Sequence, residues 1–212
     1  MNISRIVAFP FLLGMSCVAN AGSVQLQESS ASQLGTAYAG AGSSGEDVST
    51  AFFNPALLMK FDHPQAAVSA VGIFPISKLS VSSATSGVGT VLGSGVDRMH
   101  GEALIPGLHV GVPLNDSWAF GLNIGVPFGL KTVYSDYSLT RYDATRSKLE
   151  TVDISPSIAY RVNDKFAIGA GLDAVYTRAW FDVALSISAA SRDGYQKNYG
   201  KDWGYGWHAG VT

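Results

Sequence analysis

The chain has 212 residues, of which 14% are charged and 47% hydrophobic, with 24 Gly and a formal net charge of −2. Such a length holds one sizeable domain, and the near-neutral balance argues against nucleic acid as a partner. Outside the N-terminus no run approaches the roughly 18 apolar residues of a membrane-spanning helix, and so little charge beside so much Gly and aromatic surface is unusual for a soluble enzyme.

The N-terminus reads as a secretory signal. Arg5 is the basic flank, residues 6–15 are the apolar core, and Ala19-Asn20-Ala21 is an A-x-A cleavage site, so the expected mature chain starts at Gly22. Cys17, the only cysteine, lies inside this segment behind a poor lipoprotein sequence, Gly14-Met15-Ser16, so neither lipidation nor disulfides are expected. Residues 22–33 form a polar arm in which Val24 and Leu26 are the only large apolar side chains.

Residues 35–64 are rich in small side chains (Gly35, Gly40, Gly42, Gly45), carry the acidic pair Glu46-Asp47, and then Asn54-Pro55-Ala56. Ser49 or Thr50 is suited to N-cap a short turn, and Pro55 forces Asn54 toward an extended backbone. A compact polar-and-small segment suits a plug held inside something; an ordinary loop with a short helix is the plainer reading.

A first strand is expected over 66–81, broken by Pro75, followed by a plain Ser/Gly/Thr loop to residue 101. The Gly87-Val88-Gly89 pattern in that loop lacks the strand–helix context of a phosphate site and any following Lys. Alternation then sharpens. Leu108, Val110, Val112 and Leu114 fall on one face, and Trp118, Phe120, Leu122, Ile124, Val126, Phe128 and Leu130 on the same face of the next strand, with Ala119, Gly121, Asn123, Gly125, Pro127 and Gly129 between them. Val152, Ile154, Ile158, Tyr160 and Val162 repeat the pattern, as do Phe166, Ile168 and Leu172, and then Trp203, Tyr205, Trp207 and Val211.

Asn115-Asp116-Ser117-Trp118 and Asn163-Asp164-Lys165-Phe166 are tight turns, whereas polar stretches over 82–101, 136–150 and 184–201 are long connections. Short turns at one end and long loops at the other, with strands of about 10 residues, are the signature of a transmembrane β-barrel. A secreted β-sandwich also alternates, but it would expose a face of Gly, Ala, Ser and Asn to water. About six strands precede Thr212, and barrels start at about 8. The sequence therefore reads as an N-terminal half that needs a missing C-terminal half, or as a chain that associates to close.

The run Gly35-Thr36-Ala37-Tyr38-Ala39-Gly40, then Glu46-Asp47, Asn54-Pro55-Ala56 and Phe61-Asp62, resembles the N-terminal hatch of the FadL family (OmpP1/FadL/TodX-like), outer-membrane transporters of long-chain fatty acids and aromatic hydrocarbons. The resemblance implies an all-β, antiparallel transmembrane barrel plugged by a hatch, with residues 1–21 as signal, 22–64 as arm and hatch, and 65–212 as incomplete barrel. Glu46, Asp47, Asn54, Pro55 and Ala56 would be the hatch residues. Asp173-Ala174-Val175-Tyr176-Thr177-Arg178-Ala179-Trp180 resembles the family strand whose basic residue meets the fatty-acid carboxylate, which would make Arg178 ligand-binding; Val24 and Phe128 join it as apolar ligand contacts. Strict alternation from Phe166 puts Arg178 outward, at the membrane rim, unless a β-bulge near Ala174-Val175 turns it inward. Pro127 and Gly129 fit the strand kink that opens a side hole in the family's wall; a tolerated Pro at a bulge is the alternative.

No catalytic set emerges. His63, His100, His109 and His208 lack metal-ligand spacing, and Gly42-Ser43-Ser44-Gly45 is not a nucleophile elbow. The expected protein is a non-enzyme without cofactor. It would take up a fatty acid or other hydrophobic compound passively across the outer membrane. The alternatives are a general porin for small polar solutes or a secreted soluble binding or adhesion protein.

Overall fold

The computed structural model describes residues 25–87, 89–99, 101–187 and 193–212. The expected signal peptide and Val24 lie outside the described residues. Seven strands form one antiparallel sheet: β1 (Gln65–Ile73), β6 (Ala103–Pro113), β7 (Trp118–Gly125), β8 (Gly129–Val133), β9 (Arg146–Asn163), β10 (Phe166–Leu185) and β11 (Gly194–Val211). The order is β1-β6-β7-β9-β10-β11, with β8 also on β9.

The period of two sorts the side chains as the alternation predicts. Ala119, Gly121, Asn123, Ser155, Ser157 and Ala159 are buried on one face, while Trp118, Phe120, Val152, Ile154, Ile158, Ile168, Leu172, Tyr205 and Trp207 are exposed on the other. An exposed apolar face and a covered small-residue face are the reverse of a water-soluble sheet, and they suit lipid outside and a filled lumen inside. The filling is the N-terminal segment. Helix α1 (Ala31–Gly35) is followed by two 3₁₀ turns, Val48–Phe52 and Pro55–Lys60, which pack on strands from β1 round to β11. Val48, Ala51, Leu58, Met59 and Phe61 form a core with Ala119, Ala159 and Ala167 of the wall.

Small residues on the inner face are where the hatch backbone comes closest. A Cβ at Gly169 would lie 2.5 Å from the Ala56 nitrogen. One at Gly210 would lie 2.0 Å from Asn54 Oδ1.

Four expectations need correction. The segment 82–101 is not a plain loop: it holds β3 (Thr85–Ser86), β4 (Gly89–Thr90) and β5 (Val96–Met99), with β3 paired to β4 and β5 to β2 (Ser77–Ser80). The polar stretches at 146–150, 184–185 and 194–201 are strand, because β9, β10 and β11 pair beyond the apolar band and satisfy one another's backbone there. The first 3₁₀ turn is capped by Asp47, not by Ser49 or Thr50, since its carboxylate accepts the Ser49 N–H at 2.8 Å. Leu130 leaves the lipid-facing set. Val126, Pro127 and Phe128 stand opposite only Thr151 and Val152, and the extra residue reverses the faces, so Leu130 pairs with Leu149 on the inner side.

At the end with the long connections, Arg141 ties three of them together. It is buried, pairs with Asp193 at 2.7 Å, and donates to the carbonyls of Leu92 and Ser138. Hydrogen bonds from Tyr142 and then Arg141 hold the Asp193 carboxyl below the usual carboxylate range. The short turns and the hatch lie at the opposite end.

Candidate functional site

The hatch is built on two capped turns. Asn54, extended at φ −149°, caps the second turn through Oδ1, which accepts the Ala56 N–H at 3.1 Å, and Pro55 fills the first turn, where a missing donor costs nothing. The Asn54 amide donates to the Val211 carbonyl at 2.9 Å and to Gly42 at 2.8 Å, so one side chain joins hatch, glycine-rich loop and wall. Burial raises the Asp47 carboxyl, but hydrogen bonds from Ser32, the Ser49 hydroxyl and the Ser49 N–H outweigh it and hold the group below its ordinary range. Pro55 and Ala56 are buried, whereas Glu46 is exposed and stands apart from this network. On the wall side, Arg161 donates to the Met59 carbonyl at 2.5 Å.

Above the hatch lies a lumenal cavity of about 470 Å³ between Phe52 of the hatch and Phe128 of the wall. Asp153, Asp173, Val175, Thr177 and His208 complete it from β9, β10 and β11. Asp173 Oδ1 accepts from Ser155 Oγ at 2.9 Å and faces His208 Nδ1 at 2.9 Å. Because a carboxylate only accepts, the Nδ1 position carries the proton. Nε2 of His208 is buried against Gly171 and has no hydrogen-bond partner among the described residues. Sequence reading passed over this group. The three residues are scattered along the chain and meet only through the register of three strands.

The wall breaks between β7 and β8. Pro127 has no N–H to donate, and its carbonyl is taken by the Leu26 N–H at 2.9 Å. The Phe128 N–H goes to Thr151 Oγ1 at 3.0 Å, and the Thr151 hydroxyl donates to the Phe128 carbonyl. An arm residue and a hydroxyl thus replace the ladder bonds that the break removes, as a membrane wall requires. A Cβ at Gly129 would lie 2.7 Å from Leu26 Cδ1, so the arm's side chain packs directly on the backbone here. β7 pairs with β6 only from Leu108 onward. A groove of about 530 Å³ opens in the gap, with Leu26, Ile105, Phe128, Leu130, Lys131 and Arg178 among its lining residues. A larger depression of about 700 Å³, lined by Trp118, Ile158, Tyr160 and Ile168, lies on the lipid face.

The inward placement of Arg178 is corrected. Between Ala167 and Asp182 the β9–β10 register is unbroken, with no bulge at Ala174-Val175, and Arg178 pairs with Glu150 on the outer face. Its guanidinium meets the Glu150 carboxylate at 2.9 Å and lies over the Trp180 ring. The alternation was the better guide than the resemblance.

A family model described as "Outer membrane protein transport protein (OMPP1/FadL/TodX)" matches residues 12–212. The chain belongs to this family. It is 33% identical over 215 residues to the long-chain fatty acid transport protein of Escherichia coli (strain K12), covering 88% of this chain and 47% of that protein. It is 30% identical over 237 residues to outer membrane protein P1 of Haemophilus influenzae (strain ATCC 51907 / DSM 11121 / KW20 / Rd), covering 91% and 50%. The chain therefore spans about half the length of the curated relatives it matches. Its fold superposes on a Pseudomonas aeruginosa FadL homologue with a TM-score of 0.69 at 21% identity, over 90% of this chain and 49% of that one. It also superposes on the P. putida toluene transporter TodX with a TM-score of 0.57 at 17% identity, over 78% and 47%. The sheet is thus a sector of an outer-membrane β-barrel with an N-terminal hatch, and the family is one of transporters rather than enzymes.

Proposed function

We propose that this protein carries hydrophobic compounds, long-chain fatty acids first among them, passively across the outer membrane through the plugged lumen. The supporting observation is the cavity between Phe52 and Phe128, seated on a hatch whose Leu57 and Leu58 are fully buried. An acyl chain would lie against the aromatic pair. Asp173 and His208, paired on the wall of the same cavity, would stand beside its head group. Displacement of the hatch at the Asn54–Val211 tie would open the way downward, and the gap beside Pro127 would offer a lateral path. In the same reading, maturation leaves Gly22 first, residues 22–64 are arm and hatch, and 65–212 are wall. A general porin fits less well, because an apolar hatch core fills the lumen where a porin needs open, charged space.

The test is uptake by Escherichia coli cells that lack their own long-chain fatty acid transporter and express this protein. Radiolabelled oleate should accumulate and a small sugar should not. Entry of the sugar without oleate would support the porin instead.

A further inference from the structure

Three cations converge on one indole on the outer face of the wall. Arg146 Cζ lies 5.5 Å, Lys148 Nζ 4.8 Å and Arg178 Cζ 5.6 Å from the centroid of the Trp180 ring. The register continues the row sideways: Lys131 stands opposite Lys148, Lys201 opposite Arg178 and Lys197 opposite Asp182. The acids among them are fewer. Glu150 contacts both Lys148 and Arg178, Asp182 lies 3.9 Å from Arg146, and Glu102 precedes β6 where its carbonyl takes the Lys131 ammonium. Six cations against three carboxylates leave a local positive excess, and like charges crowded on one ring repel unless an anion joins them.

The height of this patch identifies the anion. The ten residue-to-residue steps from Phe166 to Tyr176, at about 3.3 Å each and tilted by about 40°, span about 25 Å, the apolar band of an outer-membrane barrel. The Tyr176–Trp203 pair, with centroids 5.0 Å apart, closes that band on the side away from the short turns. Arg178 and Glu150 are the next outward-facing pair, and Trp180 stacks on Tyr199 just above them. The cations therefore sit at the head-group level of the outer leaflet.

We infer that the Arg146–Lys148–Arg178 cluster on Trp180 is a binding site for the phosphate groups of a phosphorylated outer-leaflet glycolipid. Arg178 supplies a planar fork suited to a phosphate, and Lys148 and Arg146 supply charge beside it. Glu150 holds the fork in place when no lipid is bound and is the group the phosphate competes with. The inference rests on the membrane position of the strands and is independent of what passes through the lumen.

The test uses the protein in phosphatidylcholine nanodiscs titrated with bis-phosphorylated lipid A, with lipid A stripped of its phosphates, and with inorganic phosphate as competitor. The phosphorylated lipid should bind, and the double variant Lys148→Gln/Arg178→Gln should bind it at least about tenfold more weakly, each head-group charge counting at the membrane surface. Glu150→Gln should bind it more tightly, a gain that a folding defect cannot imitate. Equal binding of the stripped lipid, or unchanged binding by both variants, would overturn the inference. Displacement of the lipid by millimolar inorganic phosphate would make the patch a free-phosphate site and would overturn the lipid assignment.

Discussion

The Asn54 side-chain amide donates to the main-chain carbonyl of Val211 at 2.9 Å, across 157 positions of sequence. Its oxygen meanwhile caps the turn that begins at Pro55. The same residue therefore shapes the hatch and fastens it to the wall. Asn54→Ala should lose the cap, about 1 kcal/mol, and leave two carbonyls without their donor, about 1 kcal/mol or more each if buried. Hydrogen exchange should show amides 56–60 losing at least about tenfold protection while the β9–β10 ladder keeps its own. Equal protection in both proteins would mean that the tie carries no stability.

Gly169 makes the complementary contact. A methyl there meets backbone of Pro55 and Ala56 at 2.5–2.6 Å, which no rotamer change relieves, whereas Gly200 has nothing within 4 Å. Gly169→Ala should destabilise hatch seating by about 1–3 kcal/mol, and Gly200→Ala should stay within about 0.5 kcal/mol. Limited proteolysis in residues 36–47 is the readout. The idea fails if the two variants are cut at the same rate.

The Asp47 cap gives a pH dependence with a definite sign. Its folded carboxyl titrates below the ordinary 3.8, so the charged form stabilises the hatch. That contribution is complete above the unfolded value and disappears as pH falls through the lower folded value. Protection of amides 49–53 should hold down to about pH 4 and then decline, and Asp47→Asn should remove that decline by starting from the weaker level. A decline of equal size in the variant would assign it to another group.

Arg178 is an exposed partner of Glu150 on the lipid side, and such pairs contribute about 0–1 kcal/mol. Arg178→Ala should therefore change the affinities for oleate and for an uncharged hydrocarbon of similar length by less than about threefold each, measured by equilibrium binding. A loss confined to oleate would restore the lumenal role that the register denies it.

The contrast at Arg178 shows what the sequence could tell. Period two fixed its face correctly, because one register runs unbroken from Ala167 to Asp182. The same rule failed at Leu130, where one extra residue at the Pro127 break reverses the faces. Pro127 was visible as a break, but the groups that satisfy it, Leu26 and Thr151, come from distant segments. The small-residue face was legible, whereas its cause, the close approach of Pro55 and Ala56 to Gly169, needs the fold. His208 and Asp173 read as isolated residues, 35 positions apart, and only the β10–β11 pairing brings them together.

If residues 35–64 close the lumen, they must move for anything to pass. Conductance of the protein in planar bilayers, with and without residues 42–50, tests it most directly. The intact protein should conduct small ions poorly, and the deletion, which removes the Gly42 contact of Asn54 and the Asp47 cap, should open steady conductance. Equal conductance of the two, with both shown to be inserted, would contradict the account.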